Sequence, residues 1–322
     1  MSDAGVDALI LGREANARYV SGAGRLWLAG ARAFAPGCVL VAATGDVHLL
    51  STSDDGVPSD VPLEHLYAIT WNPANLMARL AAIPGLATAG RIGVDSLTPL
   101  MESLLGATFP NSELTDGQSV MLAARRHKLP AELDAIRRAV DLATEALDAA
   151  RAMARPGVRE RDVLAHFEQR MCDLGTTTPA FEGTFGHAFP SDRLLVAGDR
   201  IVLDAGVLVQ GYEGGLARTI VCGGDQPDST PADDVLMTIS SALKPGATGA
   251  DLWAAWDATG VRRPTQPLVH GTGLGLEPPV VGADDGALDA GMTLSLRTEV
   301  DGWVRRDTVV VADTGARLLA SR

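Results

Sequence analysis

Two alternating runs close to the C-terminus, MTLSLRTEV (292–300) and WVRRDTVVVA (303–312), are separated only by Asp301-Gly302. Asp-Gly between such runs is the signature of a two-residue type I′ hairpin, because both central residues must adopt positive φ. So short a loop fixes the register: Val300 faces Trp303, Glu299 faces Val304 and Arg297 faces Arg306. Side chains alternate along strands, so Ser295, Arg297 and Glu299 share one face with Val304, Arg306 and Thr308. Two guanidiniums directly opposite repel and cannot shed their protons. Either they project into solvent or something anionic sits beside them.

The 322 residues leave room for two domains and a large core. From Val6 to about Leu122, short apolar runs (DALIL, GCVLVAATGDVHLL with a Gly45-Asp46 turn, RIGVD) alternate with helical stretches at 75–83 and 96–105, the pattern of a small α/β domain. The segment 127–157 then carries Leu133, Ile136, Val140, Ala143 and Leu147 on one face, with Pro130 where a first helical turn tolerates it, and a second helix is predicted over 159–175. Strand-rich text follows at 199–209, 211–222, 292–300 and 303–312, interrupted by short helices near 231–243 and 250–258.

Composition narrows the function classes. With 27 basic against 40 acidic residues the net charge is −13, a field that repels nucleic acids and anionic membrane surfaces. No basic segment leads into an apolar one at the start, and no long uncharged apolar run follows, so a soluble cytoplasmic protein is expected. Cys38, Cys172 and Cys222 are far apart with no CxxC, which fits reduced, buried small side chains better than disulfides or a zinc-thiolate site. His48, His65, His127 and His166 show no partner pattern along the sequence and read as surface or core residues.

The phrases ANARYVSG, GRIGVD and RRHKLPAELDAIRRA, followed in order by FGHAFPSDRLLVAGDRIVLDAG, GYEGGLARTI, HGTGLGLEPP, DAGMTLSLR and GWVRRDTVVV, span nearly the whole chain. Through them the sequence resembles the creatinase, prolidase and aminopeptidase P superfamily with its pita-bread fold. The resemblance implies an α+β protein: a smaller creatinase-type α/β domain over 1–125, then a pita-bread domain over 126–322. It also implies a homodimer as the default assembly.

Members of that superfamily that use metal hold two divalent ions with two Asp, one His and two Glu. Carried over position by position, these fall on Asp204, Gly215, His270, Arg297 and Arg306. Only Asp204 and His270 remain ligands by type. Hard divalent ions need several carboxylate oxygens, so a dinuclear centre is not expected, nor the metal-dependent route to Xaa-Pro hydrolysis. A single ion on Asp204, His270 and Glu277 or Glu299 is the one metal arrangement left open.

Exchanging ions and carboxylates for guanidiniums keeps the pocket positive. Arginine prefers planar, bidentate partners, so Arg297 and Arg306 are expected to bind the anionic group of a small substrate, or else to clamp Asp204 and Glu299 in a network filling the old metal site. His187, seventeen residues before Asp204, holds the position of the superfamily's proton-shuttling His and is the foremost catalytic candidate, with His270 and Asp204 beside it. Glu277, seven residues after His270, and Tyr212, Glu213 and Arg218 of the GYEGGLAR phrase complete the expected substrate contacts. The glutamates that creatinase uses beside its His fall on Ala217 and Arg297, so amidine hydrolysis does not carry over. The expectation is a cofactor-free, metal-independent enzyme doing acid/base chemistry on a small carboxylate: C–N hydrolysis, elimination, cyclisation or isomerisation. The rival reading is an inactive module that binds a ligand or a protein.

Overall fold

Short apolar runs and closely spaced turn residues build the first part of the chain. The computed structural model describes residues 1–24, 37–68, 70, 72–187, 189–281 and 286–320, and contacts divide it into two units, Met1–Arg125 and Arg126–Arg322. In the first unit the chain runs β1 (Ala8–Leu11), α1 (Glu14–Ser21), β2 (Cys38–Val41), β3 (Val47–Leu50), β4 (Leu66–Tyr67), α2 (Pro73–Ala81), β5 (Arg91–Val94), α3 (Pro99–Thr108), β6 (Glu113–Asp116) and α4 (Gly117–Arg125). The sheet order is β4-β3-β2-β1-β5-β6. Asn72 and Thr98 cap α2 and α3 with proline at the first turn, which moves both helices off the 75–83 and 96–105 spans that apolar spacing predicts. Strand β6 and helix α4 carry no clear sequence periodicity. Gly117 lets α4 start against the Gly93–Val94 backbone, where a Cβ would come within 2.7 Å.

The second unit runs α5 (Pro130–Met153), α6 (Glu160–Asp173), β7 (Thr184–Gly186), β8 (Arg200–Val209), β9 (Tyr212–Val221), α7 (Pro231–Ala242), α8 (Gly249–Asp257), β10 (Val269–Gly273), β11 (Gly275–Val280), β12 (Thr293–Val300), β13 (Trp303–Ala312) and β14 (Gly315–Leu318). Its sheet has the order β11-β10-β12-β13-β9-β8-β7, with β14 on β13. Capping boxes at Thr230/Asp233 and Thr248/Asp251 set the starts of α7 and α8.

Alternation divides this sheet into two faces. Leu203, Ala205, Leu216 and Ile220 join Ala143, Leu147 and Phe167 of α5 and α6 in one apolar cluster. Leu294, Leu296, Val309 and Val311 join Val235, Ile239 and Trp256 of α7 and α8 in another. Both pairs of helices thus cover one face. The other face carries residues of opposite parity: Asp204, Gly206, Gly215, Ala217, Ser295, Arg297, Arg306 and Thr308.

The final hairpin has the register set by its turn, with Arg297 opposite Arg306 and Val300 opposite Trp303. Asp301 and Gly302 have φ of 49° and 79°. Cys38 and Cys222 are buried, but Cys172, expected inside, is exposed near the end of α6. Its short side chain falls on the outer side of a helix whose apolar stripe is Val163, Phe167 and Met171.

Gly302 has positive φ and no neighbour that a Cβ would strike closer than 3.9 Å. Gly302→Ala should therefore lower stability by strain alone, about 1 kcal/mol, read as a lower urea midpoint at unchanged m value.

Candidate active site

Cross-strand pairing assembles the site on the helix-free face. Thr184 pairs with Asp204, Asp204 with Ala217, Ala217 with Arg306 and Arg306 with Arg297, one row across β7, β8, β9, β13 and β12. A second row contains Gly206 opposite Gly215, and Thr308 opposite Ser295, which pairs with His270. The two halves of this second row are joined where the Thr308 hydroxyl donates to the Gly215 carbonyl at 3.0 Å.

Ala217 stands between Asp204 and Arg306, and its small side chain lets the guanidinium cross β9. Nε and Nη2 of Arg306 both donate to Asp204 Oδ1, at 3.0 and 2.7 Å, and Nη2 also reaches the Ala205 carbonyl at 3.3 Å. Phe181 lies under the guanidinium, 4.6 Å from ring centroid to Cζ. Arg306 is only 6% exposed. Gly215 is required by the same arrangement: a Cβ there would lie 3.0 Å from Arg306 Nη2 and 2.7 Å from the Ala205 carbonyl oxygen. One expected ligand position is therefore closed by backbone, and the remaining Asp is taken by a guanidinium. These donors do not fit the dinuclear centre of metal-using relatives.

Arg297 is not part of that clamp. Its Nη1 donates to Glu299 Oε2 at 2.8 Å, two residues along the same strand; Arg297 is mostly covered, whereas the Glu299 side chain is 45% exposed. The repelling pair foreseen from the register is thus neutralised by two separate carboxylates.

His270 and Glu213 are displaced in opposite directions. Burial, reinforced by the Arg306 charge, moves the His270 imidazole below its ordinary value of 6.5, against a smaller opposing effect of the Gly271 carbonyl. That carbonyl lies 3.0 Å from His270 Nδ1 and so accepts its proton, leaving the lone pair on Nε2. Burial moves the Glu213 carboxyl above its ordinary 4.5, Arg306 opposing this and Asp204 and Glu277 adding to it. Glu213 has the same parity on β9 as Gly215 and Ala217, which puts it on the site face. The Ser295 hydroxyl in the His270 row is buried and, among the described residues, without a hydrogen-bond partner.

Other expected site residues lie elsewhere. Arg218 has the helix-face parity and binds the Arg306 carbonyl at 2.9 Å and Asp307 at 2.6 Å, so it braces strands rather than facing the cleft. The Tyr212 hydroxyl donates to Glu132 Oε1 at 2.8 Å, near the start of α5. His187 follows β7 on the side of α6: its Nδ1 is 3.4 Å from buried Glu160 and 3.0 Å from Arg193 Nη1, and the ring is half exposed. Among the described residues no hydrogen bond or ion pair joins His187 to Asp204, His270 or either hairpin arginine. Glu277 is buried against Lys128 Nζ at 2.6 Å, a partner that sequence reasoning missed because the two are 149 positions apart.

Two layers with a two-domain prolidase-like architecture and a helix-free face holding this cluster define a pita-bread protein. Residues 1–127 match the Creatinase/Prolidase N-terminal domain and residues 134–317 match Metallopeptidase family M24, and the chain belongs to that family. It is similar to the Xaa-Pro dipeptidase of Pyrococcus horikoshii, 26% identical over 98% of this chain and 92% of the relative. It also resembles that of Pyrococcus furiosus, 29% identical over 60% of this chain and 62% of the relative. Among solved structures, the Pyrococcus furiosus prolidase superposes with TM-score 0.77 at 23% identity, covering 100% of this chain and 97% of that one. The Pyrococcus horikoshii prolidase gives 0.79 at 22%, covering 100% and 95%. Among the described residues no helix is long and apolar enough to cross a membrane.

Removing one partner of a mostly buried ion pair strands the other. Because the Asp204 side chain keeps 17% exposure, Arg306→Leu should cost about 2–3 kcal/mol, less than a fully buried pair. Adding Asp204→Asn should recover part of that loss, and urea denaturation of the four-member cycle measures the coupling. Gly215→Ala should also destabilise, by about 1–3 kcal/mol, because the obstructing atoms are backbone.

Proposed function

We propose that this chain is a metal-independent enzyme of the family, acting on a small carboxylate-bearing substrate by proton transfer between His270 and Glu213. The supporting observation is half-buried His270 and buried Glu213, both within reach of the Arg306 charge, the first shifted below its ordinary value and the second above it. Titratable groups pushed apart in this way mark an acid and a base. His270, with its Nε2 lone pair available, takes a proton, and Glu213 donates one. The oppositely charged Arg306–Asp204 pair, itself mostly buried, supplies a fixed dipole in the same cluster.

The family and the relatives named as Xaa-Pro dipeptidases favour C–N hydrolysis as the bond change. In that scheme His270 removes a proton from water as its oxygen adds to the carbonyl carbon, and Glu213 protonates the departing nitrogen as the C–N bond breaks. Arg297 binds the substrate carboxylate: its present partner Glu299 is solvent-facing and readily displaced, whereas Arg306 is committed to Asp204. Ser295 then supplies a hydroxyl to a polar substrate atom. His187 stays outside this scheme, held by Glu160 and Arg193.

One observation favours a second reading. Arg306 satisfies Asp204 and Lys128 satisfies Glu277, so much of the cluster is self-neutralised, as an inactive ligand-binding or protein-binding module would allow. A screen of dipeptides and N-acyl amino acids, read for both binding and turnover, separates the two. Turnover that falls about 100-fold or more in His270→Gln supports the enzyme, and binding without turnover across the screen supports the module.

The pH dependence has a definite sign. Neutral His270 is lost as pH falls through a value below 6.5, and protonated Glu213 is lost as pH rises through a value above 4.5. The kcat/KM profile should therefore be bell-shaped, with His270 setting the acid limb and Glu213 the alkaline limb. His270→Gln should remove the acid limb and Glu213→Gln the alkaline limb, each on a greatly reduced residual rate. Added Mn2+ or Co2+ should leave turnover unchanged; stimulation that disappears in His270→Gln would reject the metal-independent reading.

A further inference from the structure

The first unit brings together two histidines that lie seventeen positions apart in the sequence. Strands β3 and β4 pair in parallel with Leu49 beside Leu66, so the preceding residues, His48 and His65, are lateral neighbours. Their rings stack at 4.2 Å between centroids with an interplanar angle of 24°. Asp46, two residues before His48 and therefore of the same parity, enters from the end of the β2–β3 turn. One ligand atom from each of Asp46, His48 and His65 can be chosen so that all three lie within 4.8 Å of one another.

Two features separate this cluster from a chance grouping of polar residues. His48 is 5% exposed, yet among the described residues its Nε2 has no hydrogen-bond partner. A buried ring nitrogen left unpaired is destabilising unless something binds it. His65 Nδ1 lies 3.1 Å from the Val47 carbonyl, which can only accept, so the proton is on Nδ1 and the Nε2 lone pair is free. A backbone carbonyl on the far nitrogen is how proteins orient a metal-ligating imidazole.

We propose that Asp46, His48 and His65 form a binding site for a divalent transition ion of the zinc class in the first unit, separate from the family's catalytic centre. Two imidazoles and a carboxylate, with water completing a tetrahedron, match the preferences of that ion. Donor atoms in a zinc tetrahedron are about 3.3 Å apart, so binding draws the three side chains inward by roughly an ångström from their present separations. The stack then opens into two rings converging on one ion. Hard ions such as Mg2+ and Ca2+ are disfavoured, since the site offers a single carboxylate.

The test is titration of the full chain with Co2+, read by its visible absorption, and with Zn2+, read by melting temperature. One equivalent of Co2+ should bind with tetrahedral-type bands. His65→Gln and Asp46→Asn, both at half-buried positions, should each weaken binding about tenfold or more, while His270→Gln should leave it unchanged. Zn2+ should raise the melting temperature of the wild type and of His270→Gln, but not of Asp46→Asn. Absence of Co2+ binding by the wild type overturns the proposal. So does binding that survives in both first-unit variants or is lost in His270→Gln.

Discussion

A guanidinium resting on one carboxylate oxygen organises the second unit. Arg306 reaches across β9 to Asp204, and three features of the surrounding chain follow from that reach: the small Ala217 beneath its path, the absence of a side chain at Gly215, and the Phe181 ring under its plane. A charge taken out of water is tolerable only when paired and hydrogen-bonded, and Arg306 meets that demand with Asp204 and the Ala205 carbonyl. Its field then acts on what lies around it. The same positive charge that opposes protonation of His270 also moderates the rise at Glu213, so one side chain influences both candidate proton carriers.

Of the two roles expected for the hairpin arginines, joint binding of an anion or clamping of Asp204 and Glu299, the contacts follow the second, with each arginine taking its own carboxylate. Opposed across β12 and β13, they satisfy themselves in different directions, Arg306 inward to Asp204 and Arg297 along its strand to Glu299. This division makes one of them structural and leaves the other with a partner that water already contacts. A rigid cation next to an exchangeable one is a different device from a two-pronged clamp: only one of the two forks is open to a new partner.

Local signals carried the hairpin and its register: Asp301-Gly302 admits one tight turn, and period two does the rest. They also carried the amphipathic α5 and the capped α7 and α8. What escaped were contacts set by strand order. The clearest is Lys128 with Glu277, which depends on a closure over 149 positions, whereas Arg306 with Asp204 was foreseen, through the resemblance, as one of two alternatives. The misplacement of Arg218 and Tyr212 has a simpler cause: each lies next to a site residue in sequence, and alternation sends neighbours to opposite faces. The His48 and His65 pair stayed hidden because a parallel pairing of β3 and β4 leaves no trace in spacing.

The tight approach at Gly215 limits what this position accepts. With the Ala205 carbonyl oxygen 2.7 Å and the Gly206 Cα 2.8 Å from where a Cβ would stand, an aspartate here requires β8 and β9 to move apart and Arg306 to vacate its seat at the same time. Gly215 and Arg306 therefore form one unit of substitution, because a change at either alone leaves a collision or an unmatched charge.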